Sequence, residues 1–62
     1  MQAHLLDDRP WYDVPGAAAK ANLTQPTIRD YIRSGRLRAT KFGRVWRISP
    51  EDLDAFLAGG VT

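Results

Sequence analysis

The 62-residue sequence contains no cysteine and a single histidine, His4. Without cysteine, disulfides, thiolate nucleophiles and sulfur-ligated metal sites are excluded. Because His4 has no partners at metal-ligand spacing, we expect neither a metal nor a cofactor. No apolar run approaches the roughly 20 residues that span a bilayer, and the N-terminus lacks the basic flank of a signal peptide. These absences predict a cytoplasmic protein that has no membrane partner.

The groups needed for catalysis are also missing. One histidine, two serines (Ser34 and Ser49) and no cysteine leave no set of nucleophile, base and orienting residue. No glycine-rich phosphate-binding loop is present. We therefore expect that the protein is not an enzyme and has no small-molecule ligand.

Acidic residues are scarce in the middle of the chain. Between positions 20 and 47 there is one acid, Asp30, against eight basic residues: Lys20, Arg29, Arg33, Arg36, Arg38, Lys41, Arg44 and Arg47. The middle therefore carries +7 and the flanks −5, which together give the net charge of +2. Such a directional field suits a polyanion on one face, and arginine suits phosphate and guanine contacts. The alternative is a solvated basic surface without a partner.

Two helices are predicted in the first half. The first begins after Asp13, which is expected to cap it, and must stop near Asn22. The second begins at Thr24 or one residue later and ends at Gly35. Its apolar stripe consists of Ile28, Tyr31 and Ile32. Because only about three residues separate the helices, we expect an α–turn–α unit.

A β-hairpin and a third helix are predicted in the second half. The hairpin runs from Leu37 to Ile48, with its turn at residues 42–44 and with Phe42 at the tip. Ser49 is expected to cap the third helix, which ends at the glycine pair 59–60. The apolar stripe expected on this helix consists of Leu53, Phe56 and Leu57.

Several motifs of this chain occur together in one known family: Ala17-Ala18, Thr24-Gln-Pro-Thr-Ile28, Tyr31-Ile-Arg-Ser-Gly35-Arg-Leu37, Gly43-Arg-Val-Trp46-Arg-Ile48 and Asp52-Leu53 with Phe56-Leu57. They resemble the excisionase family of winged-helix proteins, which is related to the DNA-binding domain of MerR-type regulators. The resemblance covers about residues 11–57. The chain departs from the family at Gly16, where a glutamate is usual, and at Gln25-Pro26, where serine or arginine is frequent.

The fold class implied is α+β, mostly α: a small winged helix-turn-helix built from α–turn–α, a β-hairpin wing and a C-terminal α-helix. We expect a flexible N-terminal tail at residues 1–10, the DNA-binding domain at 11–58 and a short C-terminal tail at 59–62.

The resemblance implies that the second helix enters the major groove of double-stranded DNA while the wing contacts the backbone or the minor groove. The recognition-helix candidates are Gln25, Thr27, Arg29 and Arg33. The wing candidates are Lys41, Phe42, Gly43 and Arg44. Further phosphate contacts are expected from Lys20, Arg36, Arg38 and Arg47.

The function implied is that of an excisionase, also called a recombination directionality factor, in a bacterial cell. Such proteins bind and bend phage attachment-site DNA cooperatively, associate with themselves on it and direct integrase toward prophage excision. Only five residues follow Leu57, so we expect no dimerisation helix or effector domain of a MerR-type regulator. Two alternatives stay open: a small MerR-like transcriptional regulator, and a protein-interaction adaptor without DNA binding.

Overall fold

A computed structural model describes residues 9–60 of the chain. Most of the predicted N-terminal tail, including His4, therefore lies outside the described residues. The elements in chain order are α1 (Val14–Ala21), α2 (Gln25–Arg33), β1 (Thr40–Phe42), β2 (Val45–Arg47) and α3 (Pro50–Ala55), followed by a π-helical turn (Phe56–Gly60). The predicted fold class, a mostly helical α–turn–α unit with a two-stranded hairpin and a C-terminal helix, is confirmed.

Each helix begins at a polar cap followed by a proline in the first turn. The side chain of Asp13 accepts a hydrogen bond from the backbone N–H of Gly16 at 2.7 Å. Thr24 Oγ1 accepts from the N–H of Thr27 at 3.3 Å, and Ser49 Oγ accepts from an N–H in α3 at 3.1 Å. Each cap satisfies one of the backbone donors that a helix leaves open at its start. The predicted caps are confirmed, with Thr24 rather than its neighbour opening α2.

Left-handed residues end the first two helices. Asn22 closes α1 with a φ of 60°. After α2, Gly35 has a φ of 84°, its N–H donates to Ile32 O, and the N–H of Arg36 donates to Tyr31 O at 2.9 Å. This pair of bonds is a Schellman motif, which favours glycine at the left-handed position. The helix therefore ends where the sequence predicted.

The core lies between the three helices and the inner side of the hairpin. Its buried members come from the helical segments and from the residues that flank the hairpin: Val14, Ala17, Ala18, Ile28, Ile32, Leu37, Ile48, Leu53 and Phe56. Tyr31 is half-buried and meets Phe56 edge to face, with ring centroids 5.2 Å apart. The expectation that Leu57 belongs to this stripe is wrong, because the Leu57 side chain is exposed whereas Leu53 and Phe56 are buried.

The hairpin is shorter than predicted, and its turn contains two residues. Phe42 pairs with Val45, so the turn is Gly43–Arg44, and the placement of Phe42 at the tip is wrong. Leu37 is buried but outside β1, because its N–H donates to Tyr31 O at the end of α2. Gly43 has a φ of 63°, a conformation that favours glycine in a tight hairpin turn.

The segment before α1 is tied to the hairpin and to α3. Tyr12 forms an antiparallel bridge with Ile48 through two backbone hydrogen bonds of 2.8 Å. Arg9 pairs with Asp54 at 2.9 Å. The first residues of the described chain are therefore held beside β2 and α3. Over residues 9–60, no helix has the length and apolarity needed to cross a membrane.

Candidate nucleic-acid interface

An open groove of about 230 Å³ separates α2 from the hairpin. Arg29 lines it from α2, and Arg44 lines it from the turn of the hairpin. The remaining lining residues come from the start of α1 and from β2: Asp13, Val14, Pro15, Val45 and Trp46. The fold thus brings one predicted recognition-helix residue and one predicted wing residue to the same groove.

The guanidinium groups of these two arginines have no acidic partner in the described part of the chain. Arg29 and Arg44 are exposed, and neither forms an ion pair or a side-chain hydrogen bond with residues 9–60. Guanidinium groups in this state keep all five N–H donors for an external acceptor. The arrangement is suited to phosphate oxygens or to acceptor atoms on a base edge.

The other recognition-helix candidates differ in their exposure and in their contacts with neighbouring side chains. Gln25 is exposed in the first turn of α2. Thr27 is half-buried, and its hydroxyl accepts from Thr24 Oγ1 at 2.9 Å, so it takes part in the helix cap. Arg33 Nη1 lies 3.4 Å from Asp30 Oδ1, three residues earlier on the same helix. Because both side chains of that pair are highly exposed, it restrains Arg33 weakly.

The wing candidates lie on two faces of the hairpin. Lys41 pairs with Trp46 across the strands, and its Nζ lies 5.2 Å from the centroid of the indole ring. This cation–π contact fixes Lys41 on the side of the hairpin that faces the core. Phe42 lies on the opposite face, where its ring meets Trp11.

The four residues expected to make further phosphate contacts do not line the groove. Lys20 is exposed in the last turn of α1, where the helix dipole favours a positive charge. Arg36 stacks over Tyr31 at 6.0 Å, Arg38 is exposed before β1, and Arg47 is half-buried in β2.

Two residues of this region were not expected from the sequence as parts of the site. Asp13 was interpreted only as a helix cap, yet it also lines the groove as an acid among arginines. Trp11 lies against the hairpin, where its ring meets that of Phe42. The positions of both residues follow from the bridge between Tyr12 and Ile48, which aligns the segment before α1 with β2.

Gly16 lies close to the cap of α1. A Cβ atom at position 16 would lie 2.9 Å from Oδ1 of Asp13, the atom that caps α1. Glycine therefore lets the aspartate approach the first turn closely. The first turn of α1 contains no acidic residue, so Asp13 is the acid at the start of this helix.

Comparison with known proteins places this geometry in a family. Residues 11–61 match the family model described as a helix-turn-helix domain, a family that includes excisionase-like DNA-binding proteins. Searches of curated proteins and of solved structures returned no significant match. Helix-turn-helix domains are typically non-enzymatic modules that bind double-stranded DNA in a sequence-specific way. Because the match covers most of the chain and the fold agrees with it, the protein belongs to the helix-turn-helix domain family.

Proposed function

We propose that the protein is an architectural DNA-binding protein of the excisionase type, which binds and bends attachment-site DNA and directs integrase toward excision. The observation that carries the DNA-binding part is the position of Arg29 on α2 and Arg44 on the hairpin turn in the lining of one groove, both without an ion pair or side-chain hydrogen bond to residues 9–60. A helix and a hairpin that present free guanidinium groups to the same space can hold a duplex from two sides.

In the proposed complex, α2 lies in the major groove, which is about 12 Å wide and admits a helix. Gln25, Arg29 and Arg33 project from the exposed side of α2 toward the base edges. The groove between α2 and the hairpin then receives the sugar-phosphate strand that borders the major groove. Arg44 approaches that strand from the turn of the hairpin.

Electrostatics favour one orientation of the protein on the duplex. The basic residues concentrate between positions 20 and 47, whereas Glu51, Asp52 and Asp54 cluster in α3. The first two acids lie in the first turn, where the helix dipole favours negative charge. Repulsion from phosphates keeps this acidic end away from the DNA.

The small size of the domain favours cooperative binding. A single module of this kind covers roughly 600–1,000 Å² of its own surface on DNA, which gives limited affinity by itself. Several copies on adjacent sites, or a partner already bound to the DNA, raise the effective concentration. We propose that the acidic end of one copy faces the basic edge of the next in a head-to-tail row.

The test is a gel-shift series on an attachment-site fragment and on random duplex, followed by an excision assay with and without integrase. With about five to seven phosphate contacts, we expect a log–log salt slope of about −5 to −6. Tight binding at the attachment site that stimulates excision supports the proposal. Specific binding at a promoter without any effect on excision indicates a transcriptional regulator. Negligible binding at about 50 mM salt indicates an adaptor without a DNA role.

A further inference from the structure

One edge of β2 is only partly covered by the rest of the described chain. Ile48 exchanges two backbone hydrogen bonds with Tyr12, so its N–H and C=O point away from β1. Because successive residues of a strand direct these groups to opposite edges, those of Arg47 point to β1 and those of Trp46 point to the same edge as Ile48. Among residues 9–60 no segment pairs with Trp46 on that edge, since its cross-strand partner, Lys41, belongs to β1. The edge of β2 is therefore open at Trp46.

The open edge borders the groove between α2 and the hairpin. The chain leaves this edge after Tyr12, because Asp13 caps α1 and Val14 begins it. Trp46, Asp13 and Val14 all line the groove. The groove therefore continues the line along which Tyr12 pairs with β2. Its wall contains one backbone donor and one backbone acceptor, both at Trp46, that have no partner among residues 9–60.

The side chains of the groove add charges of both signs. Arg29 and Arg44 have no acidic partner within residues 9–60, and Asp13 supplies one carboxylate. Oδ1 of that carboxylate accepts the capping hydrogen bond from Gly16, so Oδ2 keeps its acceptor capacity. Two arginines and one aspartate give the lining a net charge of +1. The groove thus attracts an anion and also offers acceptors to a ligand that carries N–H groups.

These groups match an extended acidic peptide. Its backbone can exchange an N–H and a C=O with Trp46, as an added strand does, and its carboxylates can bind Arg29 and Arg44. A phosphodiester strand can use the two arginines, but its phosphates have no N–H to donate to the Trp46 carbonyl. In strand addition the backbone bonds provide affinity and the side-chain contacts provide specificity. Here the arginines select acidic side chains.

We propose that an acidic segment of a partner protein binds this groove by adding a strand to β2 and thereby displaces DNA, an inference that rests on the proposed function. The peptide residue opposite Trp46 continues the short pairing that Tyr12 begins. Both occupants need Arg29 and Arg44, so the peptide and the duplex exclude each other. The site that binds DNA is then also the site at which a protein inhibits DNA binding.

The first experiment titrates the protein with the blocked peptide acetyl-Glu-Val-Glu-Val-Glu-amide. We expect a dissociation constant of about 0.1–1 mM, because the contact is small. Arg29→Gln and Arg44→Gln should each weaken binding about 3- to 10-fold. Arg38→Gln is the matched control for peptide affinity, since it removes the same charge outside the groove lining. A peptide with glutamine in place of every glutamate should not bind.

The second experiment uses amide hydrogen exchange to distinguish strand addition from a purely electrostatic contact. In the free protein, the Trp46 amide should exchange much faster than the Ile48 amide, which donates to Tyr12 O at 2.8 Å. At a peptide concentration of about ten times the dissociation constant, exchange of the Trp46 amide should slow about 10-fold. The Ile48 amide, already bonded, should change far less.

Backbone methylation of the peptide provides a further test of strand addition. One peptide is N-methylated at its valines and a second at its glutamates. An extended chain points the N–H groups of alternate residues to one edge, so one of the two should lose affinity at least about 5-fold and the other should keep it.

The third experiment measures displacement of a fluorescent duplex from the wild-type protein by anisotropy. The unmethylated peptide should release the duplex over the concentration range in which it binds the free protein. The N-methylated peptide that does not bind is the control, because it has the same charge and adds the same ionic strength. It should leave the duplex bound.

Three results overturn the proposal. The first is the absence of peptide binding in a protein that binds the duplex. The second is peptide binding that leaves exchange of the Trp46 amide unchanged, which shows a contact without strand addition. The third is a duplex that stays bound while the peptide saturates its site. Failure of the proposed function is distinct from these, because the wild-type protein then binds no duplex at about 50 mM salt, whatever the peptide does.

Discussion

Oδ1 of Asp13 lies 2.7 Å from the backbone nitrogen of Gly16, and a Cβ atom at position 16 would come within 2.9 Å of the same oxygen. The cap and the glycine are therefore coupled. A residue with a side chain at position 16 would have a higher helix propensity than glycine. Its Cβ atom would, however, displace the Asp13 carboxylate that accepts a hydrogen bond from a backbone N–H in the first turn of α1.

This coupling predicts a non-additive pair of mutations. Gly16→Ala alone should change the free energy of unfolding by less than about 0.5 kcal/mol, because the propensity gain of about 1 kcal/mol is offset by a weakened cap. In an Asp13→Ala background the same change should stabilise the protein by about 1 kcal/mol. Urea denaturation of the four proteins in the cycle measures both values. An equal gain in the two backgrounds would contradict the coupling.

The charge of Asp13 gives a separate test of where the DNA lies. Asn caps a helix about as well as Asp, so Asp13→Asn should leave stability nearly unchanged while it removes a negative charge from the groove. If a phosphate strand occupies the groove, affinity for every duplex should rise about 2- to 10-fold at low salt. Gel shifts at several salt concentrations measure the gain. Asp54→Asn is the matched control because Asp54 does not line the groove, and an equal gain for both variants would place the DNA elsewhere.

Arg29 and Arg44 should respond differently to truncation. Arg29→Ala should weaken binding to the specific site by about 1–3 kcal/mol and relax specificity at one base pair, because the proposed complex places α2 at the base edges. Arg44→Ala should weaken all sequences alike and reduce the salt slope by about 1, as the loss of one phosphate contact does. Competition gel shifts with specific and random duplex separate the two behaviours. An equal loss on both duplexes for Arg29→Ala identifies it as a phosphate contact instead.

Gly35 provides a test of the link between α2 and the hairpin. Its φ of 84° is unfavourable for other residues, and a Cβ atom there would meet nothing within 4 Å, so a substitution reports on backbone strain alone. Gly35→Ala should destabilise the protein by about 1–2 kcal/mol, a large share of the roughly 3–5 kcal/mol that so small a core supplies. Gly35→Asn should cost less, since asparagine tolerates the left-handed region. Thermal melts compare the two, and equal losses would point to a cause other than φ.

The local signals in this sequence were sufficient to predict the starts of the three helices and the end of α2, but not the ends of the hairpin strands. Asp13, Thr24 and Ser49 each precede a proline in a first helical turn, and Gly35 follows a complete apolar stripe. A helix cap and a left-handed residue at a helix C-terminus each involve residues only three or four positions apart. Both can therefore be predicted from the sequence. The fold class could be predicted for the same reason.

The contacts across the fold could not be read from neighbouring residues. The bridge from Tyr12 to Ile48 joins segments far apart in the chain, and it brings Trp11 to Phe42 and Asp13 to the groove. Which of the basic residues share one site depends on this packing. From the sequence, the candidate residues could be assigned only to their helix or strand. In the structure, the arginines that line the groove are one from α2 and one from the hairpin turn.

The acidic residues of α3 test the proposed head-to-tail row. Asp54 already pairs with Arg9 at 2.9 Å, whereas Asp52, half-buried in the first turn, has no ion pair among residues 9–60. We therefore expect Asp52→Asn to lower cooperativity on multi-site DNA and Asp54→Asn to lower it less, while binding to a single-copy duplex stays unchanged for both. Quantitative gel shifts on duplexes with one and with several sites measure the ratio. Asp52 also stabilises α3 through its interaction with the helix dipole, so its substitution can lower the stability of the protein. A thermal melt of each variant must therefore accompany the assay. Intact cooperativity in the double variant would show that these carboxylates do not join neighbouring copies.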